Sequence, residues 1–137
     1  MEAHLAAVPS TAPVTNHSGC RERTTDLTLA DTADPEVARD NCFAATWAFM
    51  SAASEQQHLP TTTYHEAVIY FRDYNHMAAL LTVAGERIVV DHTLRQFDPS
   101  APHPAVMPYL DWVGEVERVG AEHYGAPATL IDLTRYA

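Results

Sequence analysis

The stretch HMAALLTVAGERIVVDHT, residues 76–93, decides the fold class because it holds two apolar runs around a tight-turn signal. Residues 76–84 and 87–93 are partly β-branched and flank Gly85 and Glu86, which is typical of a β-hairpin. Both runs are apolar on both faces, as in strands from the middle of a covered sheet. The stretch therefore predicts two central antiparallel strands.

The two ends of this hairpin carry polar side chains. His76 starts the first strand and Asp91 closes the second. With a four-residue turn at Val83–Glu86, the two side chains share a face one diagonal step apart, while His92 points to the opposite face. A nucleophilic thiol needs such an imidazole, oriented by a carboxylate. Taken singly, His76 also fits a capping or surface role, and Asp91 also fits a turn former.

Upstream, the segment NCFAATWAFMSAASEQQ, residues 41–57, predicts the strongest helix of the chain. Asn41 or Asp40 can cap it. Because its first four turns carry almost no charge, we expect it to be buried nearly all round, with Trp47 in the core. The predicted inward stripe consists of Phe43, Trp47, Met50 and Ala53.

Cys42 stands at the start of this helix, where a thiol becomes reactive. Free backbone N–H groups and the positive end of the helix dipole stabilise a thiolate there. The same N–H groups can hold an oxyanion that forms when the thiolate attacks a carbonyl. The alternative is that Cys42 is a small core residue of an apolar helix.

The remaining segments give weaker signals. Asp34 followed by Pro35 predicts a short helix from Pro35. Residues 64–74 fit a helix or a strand, with a slight preference for helix at their start, and residues 109–118 fit either. We expect an irregular arm over 1–24, one domain over 25–137 and a final strand over 127–133.

Composition and charge exclude several classes of protein. Eight basic and eighteen acidic residues give a net charge of −10 in 137 residues, which argues against nucleic-acid and anionic-membrane partners. No apolar run reaches the ~18–20 residues of a membrane span, and the N-terminus lacks a secretory signal. We expect a cytoplasmic protein, or one secreted by a specialised system. Two cysteines do not make a disulfide framework, and no metal or nucleotide motif occurs.

Two segments together resemble a known family: NCFAATWAFM, residues 41–50, and NHMAALLTVAGERIVVDHTLRQFDP, residues 75–99. They resemble the papain-like and transglutaminase-like cysteine enzymes, above all the papain-fold toxin domains that include glutamine deamidases. The resemblance implies an α+β fold with a papain-like or transglutaminase-like core. In that core the N-terminal helix that carries the cysteine packs on a small antiparallel sheet.

The resemblance also implies roles for single residues. Cys42 matches the nucleophile, His76 the general base and Asp91 the acid that orients it. Asn41, Gln96 or a backbone N–H would bind the substrate oxyanion. Four further residues match the segment that follows the acid: Thr93, Arg95, Gln96 and Phe97.

The implied activity is acyl transfer from an amide through a Cys42 thioester, without a metal or cofactor: glutamine deamidase, amidase or transamidase. The substrate would be a protein or a small-molecule amide, and an immunity protein or a carrier protein is the expected partner. A small biosynthetic amidase or acyltransferase acting on a metabolite or a carrier-bound substrate is one alternative. A catalytically idle papain-like module that binds a partner through the proline-rich residues 98–108 and the acidic surface is another.

Overall fold

The computed structural model describes residues 28–56 and 62–130, and these form a mixed α+β fold. The predicted arm over 1–24 lies outside the described residues, as does the end of the predicted last strand. The helices are α1 (Pro35–Ala38), α2 (Cys42–Gln56) and α3 (Tyr109–Tyr124). The strands are β1 (Thr63–Phe71), β2 (Tyr74–Val83), β3 (Glu86–Asp91), β4 (Ala105–Pro108) and β5 (Thr129–Leu130).

Within the described residues the strands form one antiparallel sheet in the order β4-β3-β2-β1-β5. The predicted hairpin is confirmed as β2–β3, with Val83 paired to Glu86. Ala84 and Gly85 between them have φ angles of 50° and 83°. Two positive φ values match a type I′ turn, whose twist suits a two-residue hairpin loop. This turn fixes the register of the two central strands.

The slight preference for helix at the start of residues 64–74 is wrong, because Thr63–Phe71 is strand β1. This strand pairs with β2 along its whole length, from Thr63 opposite Thr82 to Phe71 opposite Tyr74. The pairing places Ala67, Ile69 and Phe71 on one buried face. Packing on the pleated surface outweighs a weak local preference.

Helices cover both faces of the sheet. On one face Ala78, Leu80 and Val89 pack with Trp112 and other side chains of α3. On the other face α2 packs over the alternate strand residues, whose side chains point away from α3. They include Ala79, Leu81 and Val90. Since successive side chains of a strand point to opposite faces, His76 shares the α3 face with Ala78.

The expected inward stripe of α2 is confirmed for Met50 and Ala53, which are buried, and wrong for Phe43 and Trp47. Phe43 and Trp47 are 41% and 39% exposed, whereas Ala45 and Phe49 are almost completely buried. The helix packs mainly on β2, so its side toward β1 stays open. Trp47 therefore lines an open surface rather than the core.

The structure decides two of the segments whose sequence signals were weak. The short helix from Pro35 is confirmed as α1, and the Asp34 side chain caps it by accepting a 2.9 Å hydrogen bond from the N–H of Glu36. Residues 109–118, which fitted either state, begin helix α3. No helix among the described residues is long and apolar enough to cross a membrane.

Gly120 marks the closest approach of α3 to the sheet. A Cβ at this position would lie 2.7 Å from Cε1 of the buried Phe71 ring and closer still to its Cζ. We expect Gly120→Ala to lower the free energy of unfolding by about 1–3 kcal/mol, because overpacking outweighs the better helix propensity of alanine. Urea denaturation measures the change.

Gly114 in the same helix provides the matched control. A Cβ there would meet nothing within 4 Å. Gly114→Ala should leave the stability unchanged or raise it by up to about 1 kcal/mol. Equal effects of the two substitutions would contradict the described contact between Gly120 and Phe71.

Candidate active site

The candidate site lies at the end of the sheet that carries the β1–β2 turn, where β2 starts and β3 ends. His76 Nε2 lies 2.6 Å from Asp91 Oδ2, and both side chains are fully buried. Asp91 follows Val90, which pairs with Ala79, so the two partners are one diagonal step apart in the register. The predicted pairing across this hairpin is confirmed.

Asp91 receives hydrogen bonds on both oxygens. Trp112 Nε1–H donates to Oδ2 over 2.9 Å, and the Thr93 backbone N–H donates to Oδ1 over the same distance. The Thr93 hydroxyl adds a longer contact of 3.4 Å. A buried carboxylate with this many donors is stabilised in its charged form. Thr93 belongs to the segment for which the resemblance predicted a place in the site, whereas no local signal in the sequence marked Trp112, which lies on α3.

The electrostatics favour an ion pair between the two side chains. Burial by itself lowers the pKa of His76, but the charge and hydrogen bond of Asp91, with a smaller contribution from Cys42, raise that pKa to about 10. Burial would raise the pKa of Asp91, yet the charge of His76 and the hydrogen bonds from His76, Trp112 and Thr93 lower it. At neutral pH the site therefore holds an imidazolium beside a carboxylate.

Cys42 begins α2, and its side chain is half-buried. It interacts with the His76 ring, since its charge and hydrogen bonding contribute to the raised pKa of that ring. One turn later, the Thr46 hydroxyl donates to the carbonyls of Cys42 and Met77, over 2.7 and 3.3 Å. These bonds hold the first turn of α2 beside the start of β2, next to His76.

Helix α2 reaches the site with its first residue only. The body of α2 covers the face of the sheet opposite His76 and Asp91. His76 and Asp91 instead lie under α3. Cys42 reaches the His76 ring because it is the first residue of α2, at the end of the sheet.

Asn41 does not cap α2 with its side chain. Its Nδ2 donates back to the Val37 carbonyl over 2.6 Å, and only its backbone carbonyl joins α2, accepting the Ala45 N–H over 2.9 Å. Within the described part of the chain, the N–H groups of residues 42–44 have no acceptor. Three backbone donors thus surround the start of α2, as expected at a helix N-terminus.

Gln96 lies beside the second ring nitrogen of His76. Its Nε2 is 3.2 Å from His76 Nδ1. A side-chain amide can turn either its NH₂ group or its oxygen toward this nitrogen, so Gln96 can pair with both protonation states of the ring. The Phe97 ring packs edge-on against the imidazole at 4.9 Å between centroids and shields it from water.

Arg95 fixes the backbone of this segment rather than the reacting groups. Its Nε donates to the Ala101 carbonyl over 2.8 Å, and an Nη donates to the Ala33 carbonyl over 3.0 Å. The first bond ties the turn that carries Gln96 to the segment after it, and the second ties this turn to the chain just before α1. Arg95, which the resemblance placed in the motif, is thus a structural residue of the site.

His92 faces away from the cluster, as predicted. Its ring packs on Phe49 of α2, with 5.3 Å between centroids, and on His103 at 5.6 Å. Burial, with a smaller effect of His103, lowers the pKa of His92 to about 4. His92 is therefore a neutral packing residue on the α2 face.

A groove of about 700 Å³ runs beside the cluster on the α2 face. It lies between α2 and the uncovered part of β1, and its wall includes Phe43, the residue after Cys42. Asn75 and Met77, on either side of His76 in the chain, also line it. The groove thus lies on the face of the sheet opposite His76, and its lining includes the residue that follows Cys42.

Trp112 offers a direct test of the buried ion pair. We expect its indole proton to resonate downfield of that of Trp47, since it donates to a carboxylate. Its shift should stay constant between about pH 5 and about pH 8 and move only as His76 loses its proton near pH 10. A ¹H–¹⁵N spectrum, assigned with Trp47→Phe, measures both indoles. A transition near the ordinary histidine pKa of 6.5 would contradict the ion pair.

Comparisons of the chain with protein-family models, with curated proteins and with solved structures found no match. The description of the site accordingly rests on the geometry of its own residues.

Proposed function

We propose that this chain is a cysteine-dependent enzyme that hydrolyses or transfers the acyl group of an amide through a thioester on Cys42. The observation that carries the proposal is the buried His76–Asp91 pair, 2.6 Å between Nε2 and Oδ2, with the Cys42 side chain on the same ring. A nucleophile, a base and an orienting acid are what covalent acyl transfer needs. The papain-like architecture is part of this proposal.

The protonation state of the base supports the proposal. The raised pKa of His76, about 10, keeps the ring cationic at neutral pH, and the Cys42 side chain contacts this ring. The cationic ring can give its proton to the leaving nitrogen of the substrate.

In the first half-reaction the Cys42 thiolate attacks the carbonyl carbon and forms the S–C bond. Backbone N–H groups at the start of α2 and the Gln96 or Asn41 amide donate to the resulting oxyanion, typically worth about 3–4 kcal/mol per donor. His76 gives its proton to the amide nitrogen. The C–N bond then breaks, and ammonia or an amine leaves.

In the second half-reaction His76, now neutral, takes a proton from water as the water attacks the thioester. The S–C bond breaks, the carboxylic acid is released and Cys42 returns as thiolate beside the imidazolium. An amine in place of water gives transamidation by the same steps. Asp91 holds the ring in place and stabilises its cation throughout.

The fold bears on one part of the idle-module alternative, which assigned partner binding to the proline-rich residues 98–108 and to the acidic surface. Within that segment Ala101 is buried in the α3-side core, and residues 105–108 form strand β4 against β3. These residues are therefore used within the fold.

Alkylation by iodoacetamide tests the proposed reactivity. In the folded protein at neutral pH we expect Cys42 to react at least about tenfold faster than Cys20, because the imidazolium of His76 lies beside Cys42. Mass spectrometry of the peptides gives both rates. In urea the difference should vanish. Equal, slow reaction of both thiols in the folded protein would overturn the proposal.

A further inference from the structure

We propose that the groove beside Cys42 binds an uncharged apolar group, aromatic or branched aliphatic, next to the reacting carbonyl of the substrate. This inference rests on the proposed function, because it names the substrate class of the same site. It selects amides with a bulky neutral group over unsubstituted amides and over amides with an anionic group at the same place.

The lining of the groove is the first argument. Phe43 and Trp47 of α2 face Val68 and Tyr70 of β1 across it. Phe43, Trp47 and Tyr70 are each about two-fifths exposed, at 41%, 39% and 42%. Clustered exposed aromatic side chains mark a ligand or partner site, since leaving them in water costs free energy.

The position and size of the groove connect it to the reaction. Its wall includes Phe43, the residue directly after Cys42, and Asn75 and Met77, the chain neighbours of His76, whose side chains lie on the α2 face. Its volume of about 700 Å³ lies in the range of sites that hold small organic ligands. A bare carboxamide would leave most of it empty. A bulky apolar group carried by an amide that is bound at Cys42 would fill it.

The charge of the groove disfavours an anionic group within it. Among the described residues its lining holds one acidic side chain, Glu66, and one histidine, His65, but no lysine or arginine. The whole chain carries a net charge of −10. A carboxylate on the bound group would therefore meet no lysine or arginine to pair with.

Two alkylating reagents test the proposal. Iodoacetamide reports the reactivity of Cys42 itself, and N-(2-phenylethyl)iodoacetamide adds one phenyl group. We expect the phenylethyl reagent to alkylate Cys42 at least about tenfold faster, since burying one aromatic side chain gives a factor of this order. N-(2-carboxyethyl)iodoacetamide, anionic and of comparable reach, should be slower than iodoacetamide.

Trp47→Ala should reduce the ratio of phenylethyl to iodoacetamide rates to near one. Leu110→Ala is the matched control, because Leu110 is 73% exposed, lies on α3 and does not line the groove. It should leave the ratio as in the unmodified protein. A wild-type ratio near one, or equal loss in both variants, would overturn the proposal.

A binding measurement separates this proposal from the proposed function. N-(2-phenylethyl)acetamide, which cannot alkylate, should shift the indole resonance of Trp47 and not that of the buried Trp112. This holds even if Cys42 proves unreactive. No shift of Trp47 at millimolar ligand would overturn the groove assignment. A shift of Trp47 on deletion of residues 1–24 would assign the groove to that segment instead.

Discussion

Replacing His76 with alanine should slow the alkylation of Cys42 by iodoacetamide at neutral pH by about 100-fold or more. The substitution removes the cation that stabilises the thiolate and the base that handles its proton, and positioned acid–base groups contribute factors of about 10²–10⁴. Catalytic turnover of an identified substrate should fall by at least the same factor. Stopped-flow or quenched alkylation followed by mass spectrometry gives the rate.

His92→Ala is the control for this result. His92 is also a buried histidine at the end of β3, but its ring packs on Phe49 on the other face of the sheet. The His92→Ala substitution should change the alkylation rate of Cys42 by less than about threefold, the size of an indirect packing effect. If His92→Ala slowed the reaction as much as His76→Ala, the strand register and the assignment of the base would both be wrong.

Replacing Asp91 with alanine should lower the free energy of unfolding by about 3–5 kcal/mol, the usual cost of removing one partner of a buried ion pair. The substitution leaves Nε2 of His76, Nε1 of Trp112 and the N–H of Thr93 without their acceptor. Each is buried, so water cannot replace the carboxylate. Urea denaturation measures the loss, provided that the slope of the unfolding free energy against urea concentration is the same in both proteins.

The two pKa shifts predict how the stability lost in Asp91→Ala depends on pH. The raised pKa of His76 contributes stability that is complete below its ordinary value of 6.5 and is lost as pH rises toward about 10. The lowered pKa of Asp91 contributes stability that is complete above its ordinary value of 3.8 and is lost as pH falls through the lowered one. The gap between wild type and Asp91→Ala should therefore be widest between these two ordinary values.

Asp91→Asn is the conservative companion. It keeps the size of the side chain and one acceptor oxygen, so it should cost less stability than alanine. It also removes the negative charge, so the pKa of His76 should fall and the alkylation of Cys42 should slow almost as much as in Asp91→Ala. A variant with normal reactivity would show that the charge of Asp91 is not needed.

The sequence predicted those parts of the site that depend on neighbouring residues. The period of two in β2 and β3, together with the turn at Ala84 and Gly85, fixed which side chains share a face, so the contact between His76 and Asp91 could be foreseen. The position of Cys42 at a helix start followed from the apolar helix behind it. Backbone geometry over a few residues determines both features.

Packing between distant segments decided the rest. The strand state of β1 depends on its pairing with β2, and the exposure of Phe43 and Trp47 depends on where α2 crosses the sheet. Trp112 reaches Asp91 only because α3 covers that face of the sheet. No local period in the sequence encodes these contacts. Each joins residues that are distant in the chain and meet only in the folded protein. The sequence by itself therefore determined the pair at the hairpin end, and the tertiary structure alone decided what surrounds it.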